Sequence, residues 1–327
     1  MIRGAATKKK HPNPNGGWYS EFGHAEGLLE TVLIARAMST VIMAVCYDRT
    51  EGDIAKPYIV AACDTKLSSG FTSIPDSGFL KVQKVQLLSK WLLGFAGEPH
   101  HFTAIRARFG LSLRLLEDAV IEQASHTARD GDQVPSPAGY QVVEALKSVY
   151  TDYRNAIIRE RFLDPLGLEN AAQLAAMASH GIDVGDLIAE ISHFDLGITL
   201  IMGGFADHGG IKMVTIDDDG LKDRYFSSPA YAIGNGKIHA MMHLNRLYQR
   251  EASLKEAVYR VLEAKFLSED ADAVGSGTGM LILRQDCNVQ YVTKESIAAF
   301  RPLWEVNSKM MQSELLDALS FSQPSIL

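Results

Sequence analysis

Residues 37–45 read AMSTVIMAV, and they open the most apolar early run of the chain. From Thr40 to Tyr47 this run is continuous, contains β-branched residues and ends at a charged, glycine-containing segment. It therefore predicts a buried strand followed by a turn. Two hydroxyl side chains, Ser39 and Thr40, stand at the start of this strand, directly after Met38. Their place, next to a methionine that can serve as an initiator, raises the question of whether Ser39 is meant to be a chain terminus.

Composition limits the classes of function that the chain can have. With 327 residues, of which 46% are hydrophobic and 22% charged, the sequence can fold as one large globular domain or two modest ones. The formal net charge of −7 argues against a nucleic-acid partner. The one basic cluster, Lys8-Lys9-Lys10, lies in a Gly-, Asn- and Pro-containing segment and is interpreted as a solvated tail.

Membrane and disulfide classes are also disfavoured. No apolar run approaches the length of about 20 residues that a membrane-spanning helix needs. The three cysteines, Cys46, Cys63 and Cys287, match neither a zinc nor a disulfide spacing. We therefore expect reduced thiols, a cytoplasmic location and no membrane partner.

The predicted elements fall into blocks: strands, helices, strands, helices and strands. This order favours an α+β layered fold over the strict alternation of a doubly wound sheet. The predicted strands are Thr40–Tyr47, Tyr58–Cys63, Lys81–Leu88, Trp91–Ala96, Ile198–Gly203, Ile211–Ile216, Tyr225–Ser228, Gly279–Leu283 and Val289–Thr293. The predicted helices are Phe102–Ser125, Tyr140–Phe162, Ala171–Ile191, Ile238–Arg250 and Ser253–Leu267, and Thr65–Gly78 is predicted as a loop.

Two glycine clusters and a histidine pair were weighed as binding sites. Residues 275–279, GSGTG, follow a helix and open a strand, which is the reverse of a dinucleotide-binding fingerprint. Residues 234–237, GNGK, lack the further residues of a phosphate-binding loop. His239 and His243 have metal-ligand spacing on a helix, but no third ligand accompanies them. The sequence therefore predicts no organic cofactor and no metal.

Ser39 has a chemical use if it is the first residue of the mature chain. A serine hydroxyl needs a base, and an α-amino group, with a pKa near 8, can supply one from the same residue. The site then needs a cation to lower the pKa of this amine, a carboxylate to hold that cation and a backbone N–H to bind the oxyanion. Asp64 ends the next strand, Lys81 opens the following one and Gly97 closes the one after, so all three can meet Ser39 at one sheet end.

At these residues the chain resembles a proteasome β-type subunit, a member of the N-terminal-nucleophile hydrolases. The resemblance runs from Ser39 to about Thr293 in family order. It rests on STVI (39–42), AACDTK (61–66), KVQKV (81–85), GFAG (94–97), MGGFAD (202–207), IGNG (233–236) and DAVGSG (272–277).

The resemblance implies a fold and a set of residue roles. The fold is a four-layer αββα sandwich, here with an enlarged helical insertion at about 163–194. Ser39 takes the nucleophile position, Asp64 and Lys81 the catalytic aspartate and lysine, Gly97 the oxyanion-binding glycine, and Asp272 the aspartate that supports the terminal amine. Three positions depart from the family pattern: a serine replaces the usual threonine nucleophile, and Asn235 and Gly275 replace serines around the amine.

The domain organisation follows from the same residues. Residues 39–327 are predicted to form the hydrolase domain, and residues 1–38 an N-terminal extension. Proteasome precursors are cleaved after glycine, whereas Met38 precedes Ser39. Two origins for the extension therefore stay open: a genuine tail or propeptide, or an upstream start that is not the true one, with methionine removal exposing Ser39.

Three functions are compatible with this sequence. The first is a peptidase or other amide hydrolase that uses Ser39 on a peptide or amide substrate. The second is a catalytically inactive structural subunit of a proteasome-like ring, since α-type subunits share the fold, carry a helix before the first strand and lack activity. The third is a small-molecule amidase of the same superfamily. The resemblance also implies a homo-oligomer as partner.

Overall fold

The computed structural model describes residues 39–48, 56–65, 67–69, 72–74, 85–125, 136–180, 182–206, 210–224, 227–249, 251–271 and 274–318. The predicted extension, 1–38, lies outside these ranges, as do the predicted catalytic residues Lys81 and Asp272. Ser39, Asp64 and Gly97 lie inside them. The fold is mixed, with two antiparallel five-stranded sheets and seven α-helices among the described residues.

The strands are numbered along the chain. They are β1 (Thr40–Asp48), β2 (Lys56–Asp64), β3 (Leu67–Ser69), β4 (Thr72–Ile74), β5 (Val85–Leu88), β6 (Trp91–Gly97), β7 (Ile198–Phe205), β8 (Ile211–Asp217), β9 (Gly220–Asp223), β10 (Ala230–Gly234), β11 (Thr278–Arg284) and β12 (Val289–Val292). The first sheet has the order β10-β1-β2-β11-β12 and the second β5-β6-β7-β8-β9, while β3 and β4 form a hairpin. Ser39 therefore enters a central strand of the first sheet.

The helices are also numbered along the chain. They are α1 (Pro99–Ser125), α2 (Gly139–Ile158), α3 (Ala171–Ser179), α4 (Gly185–Ser192), α5 (Lys237–Leu247), α6 (Leu254–Leu267) and α7 (Lys294–Ala318). A π-helical turn (Arg159–Leu163) and a 3₁₀ turn (Asp164–Leu166) follow α2, and a second 3₁₀ turn (Ser268–Asp270) follows α6.

Three apolar clusters hold these elements together, and β1 contributes to two of them because alternate residues of a strand face opposite sides. Ile42 and Ala44 pack with α5 and α6 in one cluster, whereas Val41 and Met43 pack against residues of the second sheet in another. The third cluster joins the second sheet to α1 and α2. Every residue from Val41 to Val45 is fully buried, as the unbroken apolar run predicts.

Several predicted elements differ from the structure. The helix predicted over 171–191 is two helices, because α3 ends at Ser179 and α4 begins at Gly185. Ser227 and Ser228 are not in a strand, and the strands on either side, β9 and β10, were not predicted. The loop predicted over 65–78 contains the β3–β4 hairpin, and helix α7, which contains Pro302 in its interior, was not predicted.

Within the described residues, no helix combines the length and apolar character needed to cross a bilayer. The same part of the chain contains no group of three or more His, Cys, Asp or Glu side chains placed to hold a metal ion. Of the two histidines with metal-ligand spacing, His243 lies 2.8 Å from the carboxylate of Glu263.

Candidate active site

Ser39 lies where β1 begins, and it is almost completely buried, with 2% of its surface exposed. Its Oγ atom has no hydrogen-bond partner among the residues that the structure describes. Its carbonyl oxygen accepts a hydrogen bond from the backbone N–H of Asn235 (2.8 Å). Because buried hydroxyls are normally paired, an unpaired one calls for an explanation, either a bound water or a chemical role.

Asp64, at the end of β2, binds the backbone next to Ser39 and is fully buried. Its Oδ1 accepts a hydrogen bond from the N–H of Thr40 (3.0 Å), and its Oδ2 accepts one from the N–H of Gly275 (3.3 Å). Thr40 is fixed a second time, because its Oγ1 accepts a hydrogen bond from the N–H of Gly236 (3.1 Å). The carboxylate therefore connects the start of β1 with the segment that leads into β11.

Two glycines allow the turn after β10 to approach Ser39 and Thr40 closely. At Gly234, which has φ of +91°, a Cβ atom would overlap the carbonyl oxygen of Ser39. At Gly236 a Cβ atom would overlap Oγ1 of Thr40 and lie 2.7 Å from Cβ of Ser268. Both positions therefore require glycine for steric reasons, which explains the spacing of the IGNG motif.

Gly97 closes β6 and lines a cleft of about 350 Å³, in which Ser39 is not among the lining residues. The cleft is lined by Ala96, Gly97, Asp195, Gly197, Ile198, Thr199, Asp217, Asp218, Asp219, Ile233, Gly234, Asn235 and Lys237. Ala96 and Ile233 also belong to the cluster between the sheets, on the face of β1 that carries Val41. Strand alternation puts Ser39 on the same face as Val41. Gly97 has φ of +112°, and a Cβ atom there would overlap the carbonyl oxygen of Gly197.

One wall of the cleft is acidic but largely paired. Asp218 bonds Nε of Arg154 (2.8 Å), and Nζ of Lys222 lies 3.4 Å from oxygens of both Asp217 and Asp219. Burial, followed by a side-chain hydrogen bond with Asp195, raises the pKa of Asp218 to about 6. This carboxyl therefore changes its protonation close to neutral pH.

Lys265, a residue that sequence analysis missed, lies on the far side of Asp64 from the cleft. It is fully buried near the end of α6, and its Nζ donates hydrogen bonds to Glu269 (2.8 Å) and to the carbonyl oxygen of Gly275 (2.9 Å). The signal was present in the sequence, because Lys265 continues the four-residue spacing of the buried Ala257 and Val261. A lysine on a buried helix stripe is unusual enough to indicate a specific role.

Three of the five predicted catalytic residues, Ser39, Asp64 and Gly97, lie within the described residues. Ser39 and Asp64 are linked through the N–H of Thr40, and Gly97 lines the cleft together with Gly234, which contacts Ser39. Lys81 and Asp272 lie outside the described residues. Asn235 and Gly275, which depart from the family pattern, contribute backbone N–H groups here.

Comparison with known proteins supports the fold but gives no family assignment from sequence. No protein-family profile matches the chain, and no curated protein matches it. Among solved structures, the chain is similar to the Anbu (Gly-1) mutant from Hyphomicrobium sp. strain MC1, with a TM-score of 0.55 and 14% sequence identity. The match covers 87% of this chain and 100% of the Anbu chain. Anbu is a proteasome-like protein of the N-terminal-nucleophile hydrolase family, so the likeness indicates a proteasome-like fold.

Proposed function

We propose that the chain is an amide-bond hydrolase, specifically a peptidase, in which Ser39 is the nucleophile and its own α-amine the base. The observation that carries the proposal is the Oγ of Ser39, buried yet unpaired among the described residues, at the start of a strand fixed by Asp64. Leaving a buried polar atom unpaired costs about 1–3 kcal/mol, so its retention favours a chemical use over a purely structural one.

The proposed fold is the four-layer αββα sandwich. The order of the three apolar clusters supports it, because one lies between the two sheets and each of the other two joins a sheet to helices. In this arrangement Ser39 stands at the edge of the inter-sheet layer, next to Gly234, which lines the cleft.

The proposed reaction proceeds through an acyl-enzyme. Oγ of Ser39 attacks the substrate carbonyl carbon while the α-amine takes the hydroxyl proton, and the N–H of Gly97 binds the oxyanion. The amine then gives its proton to the leaving nitrogen as the C–N bond breaks. Water, deprotonated by the same amine, hydrolyses the resulting ester of Ser39. Lys81 and Asp272 are proposed to support the amine, as the family resemblance implies.

The test uses the full chain, folded with residues 1–38 present. A recognition sequence for a site-specific protease is placed directly before Ser39, and cleavage after folding exposes its amine. The cut protein is expected to hydrolyse fluorogenic peptide amides, whereas the uncut protein and cut Ser39→Ala are expected to be inactive. A covalent acyl-trapping reagent should add mass to the peptide that begins at Ser39. Equal activity of cut wild type and cut Ser39→Ala would contradict the proposal.

A second candidate function is a non-catalytic subunit of a homo-oligomeric ring. Its support is two exposed leucines on one face of α1, Leu111 (60% exposed) and Leu115 (62%), which a subunit contact would cover. This function predicts a multimer by analytical ultracentrifugation and no trapping at Ser39 after cleavage. A panel of small amides, tested beside the peptides, identifies the third alternative, an amidase without peptidase activity.

A further inference from the structure

Lys265 occupies a position where a positive charge loses its hydration, which costs free energy. Its side chain is fully buried, and its neighbours on the helix stripe are Ala257 and Val261. Burial lowers the pKa of this lysine, while the charges of Glu269 and Asp64 act in the opposite direction. Because the side chain could be replaced by a buried methionine without loss of packing volume, its charge calls for a specific explanation.

The hydrogen bonds of Lys265 lead directly to the predicted nucleophile. Nζ donates to the carbonyl oxygen of Gly275 (2.9 Å), and the N–H of Gly275 donates to Oδ2 of Asp64 (3.3 Å). Oδ1 of the same carboxylate accepts from the N–H of Thr40, the residue after Ser39 (3.0 Å). One residue, Gly275, and one carboxylate, that of Asp64, therefore separate the ammonium of Lys265 from the start of β1.

A second cation fixes the same segment. Arg301, on α7, makes two hydrogen bonds to the carboxylate of Glu269, each 2.8 Å long. It also donates to the carbonyl oxygen of Ser276 (2.9 Å). Lys265 and Arg301 thus bind consecutive backbone carbonyls and share one carboxylate, which restrains the segment that carries the N–H donor to Asp64.

We propose that Lys265 is a positioning residue for the proposed hydrolysis: it holds the Gly275 peptide against Asp64, and its positive charge lowers the proton affinity of the α-amine of Ser39. This inference rests on the proposed function. A nearby cation disfavours the protonated amine, and only the unprotonated amine can act as base. Lys265 therefore extends the active range of the enzyme toward lower pH.

The other charged groups around this cluster decide the sign of the effect. Asp64 on β2 and Glu269 after α6 raise the proton affinity of the amine, whereas Lys265 and Arg301 on α7 lower it. Lys81 and Asp272 lie outside the described residues. Removing the charge of Lys265 leaves the two carboxylates with one described cation, so the amine is expected to bind its proton more tightly.

The first measurement does not depend on catalysis. Cut chains carrying Ser39→Ala, with and without Lys265→Met, are labelled at the terminal amine across a range of pH. Mass spectrometry of the N-terminal peptide then gives the labelling rate. Lys265→Met is expected to move the midpoint of labelling upward by about one pH unit, which is a tenfold lower rate on the acidic side. Lys265→Arg is expected to leave the midpoint near that of the parent.

The second measurement uses the active cut chain and the pH profile of kcat/KM. Lys265→Met is expected to reduce the rate at pH 6 about tenfold more than at pH 9, because only the acidic limb moves. Arg260→Met serves as the matched control, because Arg260 forms an ion pair on the same helix with Glu263 and makes no described contact with Asp64. Arg260→Met should leave the acidic limb of the pH profile at the same pH as in the parent.

Two results would overturn the inference. One is an equal loss of activity at every pH with an unchanged labelling midpoint, which is the signature of a purely structural lysine. The other applies if Lys265→Met fails to fold: Arg301→Gln, whose cation is partly exposed, is then expected to raise the labelling midpoint by a smaller amount, and an unchanged midpoint overturns the inference. An inactive cut wild type would reject the proposed function, while the labelling result would still decide the role of Lys265.

Discussion

Charged groups on the two sides of Ser39 are arranged in opposite ways. On the interior side, the ion-pair cluster of Asp64, Lys265, Glu269 and Arg301 alternates anion with cation, and its lysine is fully buried. In the cleft, two carboxyls meet directly, because Asp195 and Asp218 share a side-chain hydrogen bond. The comparison teaches that the interior charges are suited to holding a fixed geometry, whereas the cleft carboxyls are suited to changing their protonation.

The largest loss of stability is expected when the carboxylate at the centre of the ion-pair cluster is removed. Glu269→Gln leaves the buried Lys265 without its anionic partner, and we expect the free energy of unfolding to fall by about 3–5 kcal/mol. Urea unfolding at pH 7 measures this loss. The physical reason is the burial of the lysine, which cannot turn to solvent to recover its hydration.

Glu263→Gln is the matched control, because Glu263 lies on the helix that carries Lys265, is about as exposed as Glu269 and also binds two basic side chains, His243 and Arg260. Its arginine partner is 27% exposed, so water screens the pair, and we expect a loss of about 1 kcal/mol or less. If Glu269→Gln and Glu263→Gln lost the same unfolding free energy, the burial of Lys265 would add nothing to the stability of the cluster.

Sequence reasoning located the strand ends around Ser39 better than the helix behind them. The apolar runs of β1 and β2 are unambiguous, so the meeting of Ser39 and Asp64 at one sheet end was predictable from strand order. Lys265 was missed, because one lysine in an amphipathic helix is usually solvated. Its spacing from Ala257 and Val261 was the one local signal, and its burial depends on how α6 packs over β1 and β2.

The elements missed by sequence analysis have local causes. Strand β10 reads AYAIG, and its glycine together with the following Asn-Gly was interpreted as a turn. Helix α7 has Pro302 in its interior, which on sequence alone argues against a continuous helix. The break between α3 and α4 comes at His180, where no proline separates the two apolar patterns.

Gly234 contacts both Ser39 and Ala96, so substituting it tests how closely Ser39 must be held for activity. Gly234→Ala introduces a Cβ atom 2.8 Å from the carbonyl carbon of Ser39 and 3.0 Å from Cβ of Ala96. We expect a loss of about 2–3 kcal/mol in unfolding free energy and, since Ser39 must shift, about a hundredfold loss of amide hydrolysis in the cut chain. Thermal unfolding and kcat/KM measure the two effects.

Gly220→Ala is the control for backbone strain alone. Gly220 also has a positive φ, +104°, but a Cβ atom there would meet nothing within 4 Å. Its cost should be about 1 kcal/mol, with hydrolysis unchanged. If both alanine variants lost the same stability and kept full activity, the contact between Gly234 and Ser39 would have no part in positioning the nucleophile.

The smallest expected effect concerns the carboxyl pair of the cleft. Asp218 has a pKa of about 6 in the folded protein, raised from 3.8 by burial and by Asp195. Because the folded state holds this proton more tightly than the unfolded chain, the stabilisation that it gives is fully present below pH 3.8 and is lost as the pH rises through 6. Unfolding free energy should therefore contain a term that declines across this interval and is level above it.

Asp195→Asn tests whether the two carboxyls act as a pair. The amide keeps an oxygen that can accept the hydrogen bond from the N–H of Gly197, but it removes the neighbouring charge. The pKa of Asp218 should fall, so the variant should be more stable than the wild type above pH 6, by less than about 1 kcal/mol, with the difference vanishing near pH 4. Carboxyl ¹³C NMR titration reads the pKa directly. An Asp218 midpoint that stays at about 6 in the variant would leave burial as its cause and would remove the carboxyl pair from the contrast between cleft and interior.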